Sequence, residues 1–203
     1  MVTEMGISEK LLFVQEKPNS YVLFIPPDMS SVKFFRKELR RSLLANHFTE
    51  ENTSQIVLAS DEALTNSISA NISNDSQETI ICRWRIEDAR FLLYILDYGK
   101  GLKMQDSMQK TSAVCDPHSS FADFIHSLKS YQKSTPGKMP YSGKEKIHRN
   151  MGQGLRIIHT LMDTVKIMYH SNDEIHEKIE NHKINGSIVE LKFDTKKHPN
   201  EEE

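Results

Sequence analysis

The stretch Ile56–Asn71, IVLASDEALTNSISAN, decides how the rest of the chain is read. Ile56, Ala59, Ala63 and Ile68 recur near the helical period, which predicts a helix. Glu62, Asn66 and Ala70 fall at i, i+4 and i+8, so they share one face of it. A carboxylate and a carboxamide therefore stand one turn apart in apolar company. Asn is a middling helix former at best, so its place inside a helix calls for a reason. The competing reading is an ordinary polar stripe on a solvated helix face.

Working outward, Asn74-Asp75-Ser76 ends that helix in a turn. Thr79–Ile86 and Arg90–Leu96 then predict two antiparallel strands joined at Glu87-Asp88-Ala89. The first alternates, with Ile81 and Trp84 breaking a strict period. The second, RFLLYIL, is nearly all apolar and is expected at the centre of a sheet. Asp97 comes at its end and opens Asp97-Tyr98-Gly99-Lys100-Gly101, whose composition also suits a plain turn. Gly152-Gln153-Gly154 leads into a helix marked by Leu155, Ile158, Leu161 and Met162. A phosphate needs backbone N–H groups and a helix N-terminus, and glycine lets it come close to both. Alone, a glycine pair before a helix is often only a turn. Thr164–Tyr169 and Ser187–Phe193 read as the closing strands. The charged stretch His170–Asn185 lies between them and ends in the turn Asn185-Gly186. His170, His176 and His182 are evenly spaced, but six residues suits neither a helix face nor a common zinc pattern.

Upstream, Leu11–Val14 is a short strand and Tyr21–Ile25 a stronger one, stopped by Pro26-Pro27. Asp28, Ser30 or Ser31 caps the next helix, which buries Val32, Phe35, Leu39 and Leu43. Lys33, Arg36, Lys37, Arg40 and Arg41 fall mostly outside, as a solvated face. Thr49-Glu50-Glu51-Asn52 supplies the cap and acidic first turn for the Glu62 helix.

Residues 102–148 break the pattern, with Pro117, Pro136, Gly137, Pro140, Gly143 and seven lysines. One amphipathic helix, Ser120–Tyr131, is expected inside, with Ser120 and Asp123 as a capping box. A loop of this length in a compact domain is a lid, a binding element or disorder.

The chain has 203 residues, enough for one domain with a real core. A net charge of −2 speaks against a general nucleic-acid binder. Cys82 and Cys115 make neither a metal spacing nor a disulfide framework, and nothing near Cys115 argues for a lowered thiol pKa. The N-terminus lacks the basic-then-apolar pattern of a signal peptide, and no apolar run is long enough to span a membrane. A cytoplasmic location is expected.

In this order and context, the three stretches resemble the N, G1 and G2 boxes of the GHKL (Bergerat-fold) ATPases. Within that superfamily the chain is most similar to the anti-sigma-factor serine/threonine kinases of bacterial partner switching. The resemblance covers roughly residues 20–194. Leu161-Met162-Asp163-Thr164-Val165 also resembles the segment that follows the G2 box in those kinases. The resemblance implies an α+β two-layer sandwich: a mixed, mostly antiparallel sheet with helices on one face and a long ATP lid. It implies one domain over 1–195, with the lid at 102–150 and a disordered tail at 196–203.

It also implies roles. Glu62 matches the residue that deprotonates the attacking group, and Asn66 the Mg²⁺ ligand. Asp97 matches the acceptor of the adenine amino group, with Gly99 and Gly101 beside the base. Gly152, Gln153, Gly154 and Leu155 match the phosphate-contacting loop. Arg149 falls one residue off the basic lid position that meets the γ-phosphate, with Lys144 and Lys146 as weaker candidates. Ser187 sits where the family often has a Thr near adenine. Ala70 stands where gyrase-like members have His, which suits the anti-sigma branch, whereas the lid is longer than that branch leads one to expect.

The implied cofactors are ATP or ADP and Mg²⁺. The implied function is an ATP-binding anti-sigma factor and kinase that phosphorylates a STAS-domain anti-anti-sigma protein. Its partners would be that protein and a sigma factor, with a homodimer as the assembly and no direct nucleic acid or membrane contact. The alternatives are a non-catalytic, nucleotide-dependent binding module and a stand-alone histidine-kinase ATPase domain. Against the last, no dimerising helical hairpin with a phospho-acceptor His precedes the first core strand.

Overall fold

The structure is a computed structural model that describes residues 11–99, 154–171, 174–178 and 183–198. The expected lid at 102–150, the Ser120–Tyr131 helix, Gly101, Cys115, Lys144, Lys146, Arg149, Gly152, Gln153 and His182 lie outside the described residues.

The chain opens with β1 (Leu12–Lys17) and β2 (Ser20–Ile25), joined at Pro18-Asn19. Pro18 with Asn19 at φ 62° is the residue order a type II turn favours. Helix α1 (Ser30–Ala45) begins where Asp28 Oδ1 accepts the Ser30 N–H at 2.9 Å and Asp28 Oδ2 accepts the Ser30 hydroxyl at 2.8 Å. Val32, Phe35, Leu39 and Leu43 are all buried, as the spacing predicts. The basic face is solvated as expected, with Lys33, Arg36, Lys37 and Arg41 exposed.

Helix α2 (Glu50–Ser73) is longer than the stretch that first marked it. Thr49 caps it by accepting the Asn52 N–H at 3.2 Å, and Glu50 and Glu51 complement the dipole in the first turn. Residues 59–65 are buried without a break, so the middle of α2 is enclosed on all sides. That enclosure removes the solvated polar stripe as a description of Glu62, which is 5% exposed.

β3 (Ile80–Glu87) and β4 (Arg90–Leu96) form a hairpin in which Glu87 pairs with Arg90. Its two-residue loop holds Asp88 at φ 50° and Ala89 at φ 62°, the left-handed pair that a type I′ turn needs. The period of β3 is stricter than the sequence suggests. Ile80, Cys82, Trp84 and Ile86 are all buried and in phase, so Trp84 does not break the alternation. Only Ile81 puts an apolar side chain on the opposite face.

Helix α3 (Gly154–Leu161) leads into β5 (Thr164–Ser171), β6 (Glu174–His176) and β7 (Gly186–Asp194). β6 is a correction to the sequence reading, which left 170–185 as one charged connection. β5 continues through His170 and Ser171 and turns back to pair His170 with Ile175. Thr195–Lys197 then form one 3₁₀ turn, and the His198 ring stacks on Phe193 with centroids 4.4 Å apart.

The seven strands run in the order β1-β2-β3-β4-β7-β5-β6, with β4 at the centre. An α+β architecture with a mostly antiparallel sheet is borne out. The mixed character is not: all six ladders among the described residues are antiparallel. The register puts Leu23, Cys82, Ile95 and Val189 on one face, with Tyr21, Trp84, Leu93 and Leu191 in the next row. Helices cover this face. The Trp84 indole donates to Ser42 Oγ of α1 at 2.9 Å and meets Phe35 edge-on at 5.9 Å. Tyr21 and Phe13 stack beside it at 5.4 and 5.8 Å. No helix among the described residues is long and apolar enough to cross a membrane.

Trp84 is fully buried and joins α1 to three strands, so Trp84→Ala is expected to lower stability by about 3–5 kcal/mol. Trp84→Phe keeps ring packing, loses the bond to Ser42 and should cost less. Urea denaturation midpoints of the two variants check the order.

Candidate functional site

A cleft of about 240 Å³ opens between α2 and the β4–β7–β5 end of the sheet. Its α2 wall is built from short side chains, Ala63, Ser67, Ala70 and Ser73, with Asn66 among them. Small residues here leave room that a Leu or Phe would fill. Val165, Ile167 and Val189 form an apolar floor, and Leu155 and Ile158 of α3 line it as well. Two polar residues, Asp97 and Ser187, lie on the sheet side. A cleft with apolar walls and one polar end suits a flat heterocycle, which has apolar faces and a polar edge.

Asp97 follows β4 directly and is 1% exposed. A buried carboxylate is costly unless hydrogen bonds compensate it. Here three donors do so. Oδ1 accepts the N–H groups of Gly99 at 3.0 Å and Ser187 at 3.2 Å, and Oδ2 accepts the Ser187 hydroxyl at 2.7 Å. An ionised carboxylate offers about four acceptor positions, so one on Oδ2 remains for a donor in the cleft. The backbone is held just as firmly. The Asp97 N–H donates to the Ser187 carbonyl at 2.9 Å, the Ser187 N–H to the Asp97 carbonyl at 3.2 Å, and His170 Nε2 meets that same carbonyl at 2.8 Å. With a carbonyl as its partner, Nε2 must carry the proton.

Two glycines make these approaches possible. A Cβ on Gly186 would collide with the carbonyl of Asp97 and the ring of His170. A Cβ on Gly99 would collide with Ala70. Backbone meets backbone at the first point, and the loop meets the α2 wall at the second.

The structure thus brings Asn66, Asp97, Leu155 and Ser187 to one cleft, with Gly99 packed on its wall. Gly154 is the first residue of α3. Glu62 is buried one turn before Asn66 and is not among the residues lining the cleft. The sequence reading missed Gly186, His170 and Ser67. Ser67 is 2% exposed, lines the cleft, and its hydroxyl has no hydrogen-bond partner among the described residues. A serine immediately after Asn66 was a visible signal, whereas Gly186 looked like an ordinary turn residue and His170 like part of a charged loop. His170 and His176 do not converge: Nε2 of His176 meets the Ser171 hydroxyl at 3.0 Å instead.

Residues 25–177 match the family model described as a histidine kinase-like ATPase domain. No curated protein matches the chain significantly. Among solved structures, the SiaB–SiaC complex from Pseudomonas aeruginosa contains a similar chain, at 12% identity and a TM-score of 0.47. The match covers 84% of this chain and 87% of that one, a likeness too distant to carry a functional argument.

Gly186→Ala is expected to destabilise the fold by roughly 1–3 kcal/mol, because the added methyl is forced against backbone rather than a flexible side chain. Thermal unfolding measures it. A midpoint equal to wild type would contradict the close approach of β4 and β7.

Proposed function

The chain belongs to the histidine kinase-like ATPase family, and from that premise we propose that it is an ATP-dependent serine/threonine kinase and anti-sigma factor acting on a STAS-type anti-anti-sigma partner. Family membership supports nucleotide binding. The observation that carries the reading is Asp97, a buried carboxylate with an acceptor position to spare, beside a cleft walled by the helix of Glu62 and Asn66.

The residues present fit an adenine nucleotide. The apolar floor accepts the faces of the base, and the free position on Asp97 accepts its exocyclic amino group. Asn66 offers an amide oxygen, the hard ligand type that Mg²⁺ takes beside waters and phosphate oxygens. When bound, Mg-ATP supplies the phosphoryl group and the neutralisation of its charge. Glu62 takes the proton of the partner's hydroxyl, as its match to the family's base implies. By the same resemblance Gly152, Gln153, Gly154 and Leu155 hold the phosphates, with Arg149 on the γ-phosphate and Gly101 beside the base. A phosphate on the partner adds about 1.5 to 2 negative charges, which releases it and leaves this chain for a sigma factor.

One observation favours a second reading. Glu62 does not line the cleft, so the output could be nucleotide-dependent capture of a partner without transfer. Capture from a native lysate with tagged protein, once in Mg-ATP and once in Mg-ADP, addresses both. The kinase reading expects a sigma factor with ATP, and a small STAS protein with ADP that carries phosphoserine or phosphothreonine after ATP is added. Partners captured without phosphate transfer would support the second reading instead. Acid-labile phosphohistidine would point to the phosphorelay alternative.

Glu62→Gln should bind ATP within about threefold of wild type and lose phosphotransfer by roughly 10²–10⁴, the usual contribution of a general base. Single-turnover assays with the captured partner measure this, and undiminished transfer would remove Glu62 from its role.

A further inference from the structure

Past Leu96 the chain leaves the β4 ladder, and the backbone groups of Tyr98 need new partners. Both find them at the C-terminal end of α2, in its last turn and at its cap. The Tyr98 N–H donates to Asn71 Oδ1 at 2.7 Å, and Asn74 Nδ2 donates to the Tyr98 carbonyl at 2.9 Å. Asn71 is fully buried, and its Nδ2 also donates to the Glu78 carbonyl at 3.0 Å. Its amide orientation follows from this pairing: a flipped amide would set two donors face to face at Tyr98 and two acceptors face to face at Glu78. Two carboxamides three residues apart, Asn71 in the last turn of α2 and Asn74 at its C-cap, therefore grip one residue on both of its backbone sides. That residue sits between Asp97 and Gly99, whose N–H in turn donates to Asp97 Oδ1.

We propose that Asn71 and Asn74 are positioning residues for base recognition, setting from α2 the place of the Asp97 carboxylate and with it the preference for adenine over 6-oxopurines. The inference rests on the nucleotide reading of the cleft. From the far side, Ser187 and His170 hold Asp97 itself. From α2, the two asparagines hold the next residue. With both in place, Oδ2 points its remaining acceptor position at one spot. A purine with an amino group there gains a bond. A purine with a carbonyl there sets oxygen against oxygen, and a site built around a hydrogen bond rejects such an analogue strongly. If Tyr98 loses its grip, the carboxylate can yield and the rejection weakens.

The experiment measures Kd for ADP and for IDP by calorimetry, on wild type, Asn71→Ala and Asn74→Ala. The readout is the ratio Kd(IDP)/Kd(ADP). A loss of folded fraction changes both constants alike, so a merely structural role leaves the ratio alone. Asn74 is only partly buried, so its variant serves where Asn71→Ala does not fold. Wild type is expected to favour ADP by at least about 30-fold, and either alanine variant to cut that ratio about tenfold. A wild-type preference that both variants keep within twofold overturns the inference and leaves the nucleotide reading standing. Wild-type protein that binds both equally overturns the inference alone, and protein that binds neither overturns the nucleotide reading and the inference with it.

Discussion

The two halves of the sheet join at the β4–β7 ladder, which ends in a doublet of Asp97 and Ser187. These residues lie 90 apart in sequence, yet exchange two backbone hydrogen bonds and two from Ser187 to the Asp97 carboxylate. The doublet extends the β4–β7 ladder, the only described pairing that joins β1–β4 to the C-terminal strands. Without that ladder, which pairs Arg90–Leu96 with Ile188–Asp194, the described sheet would fall into a four-stranded and a three-stranded piece, each with a raw edge. The bonds of the doublet compensate a carboxylate that burial would otherwise penalise. One contact thus both ends the ladder and sets the polar side of the cleft, and the missing Cβ of Gly186 is its steric condition.

What could be read from sequence follows the range of the interactions involved. Helix α1 was legible because its cap and its 3.6-residue spacing are local. β4 was legible as a central strand because RFLLYIL has no polar residue between its first and its end. Of the two residues read as breaking the period of β3, Ile81 does leave the phase of the buried face and Trp84 does not. β6 was missed because its middle residue, Ile175, is 63% exposed and its neighbours are charged, so no alternation marks it. In the cleft, Asp97 and Ser187 could be singled out only through likeness to a family. The roles of Gly186, His170 and Asn71 arise from register between distant strands and a helix end, which composition does not encode.

Adjacent acidic residues on α2 divide their work by direction. Successive helical residues point about 100° apart, so Asp61 and Glu62 cannot face the same surroundings. Asp61 turns to α1 and takes the Arg36 guanidinium through both of its oxygens. Asp61 is 11% exposed and Arg36 49%, so this pair stands apart from Arg41–Glu38 and Arg40–Glu50, whose more solvated members contribute little. One carboxylate ties the two helices together. Its neighbour Glu62, 5% exposed, is buried in different surroundings.

Helix α2 also acts as a ruler. It runs unbroken for 24 residues, about 36 Å at roughly 1.5 Å per residue. Glu62 and Asn71 stand nine residues apart on it, hence about 13 Å along a rigid axis. One added residue between them would lengthen that interval by only about 1.5 Å but would swing everything beyond it through about 100°. The carboxamide that now meets Tyr98 would face elsewhere, whatever side chain replaced it. The interval within α2 therefore fixes where Asn71 meets Tyr98 as firmly as the choice of side chain does.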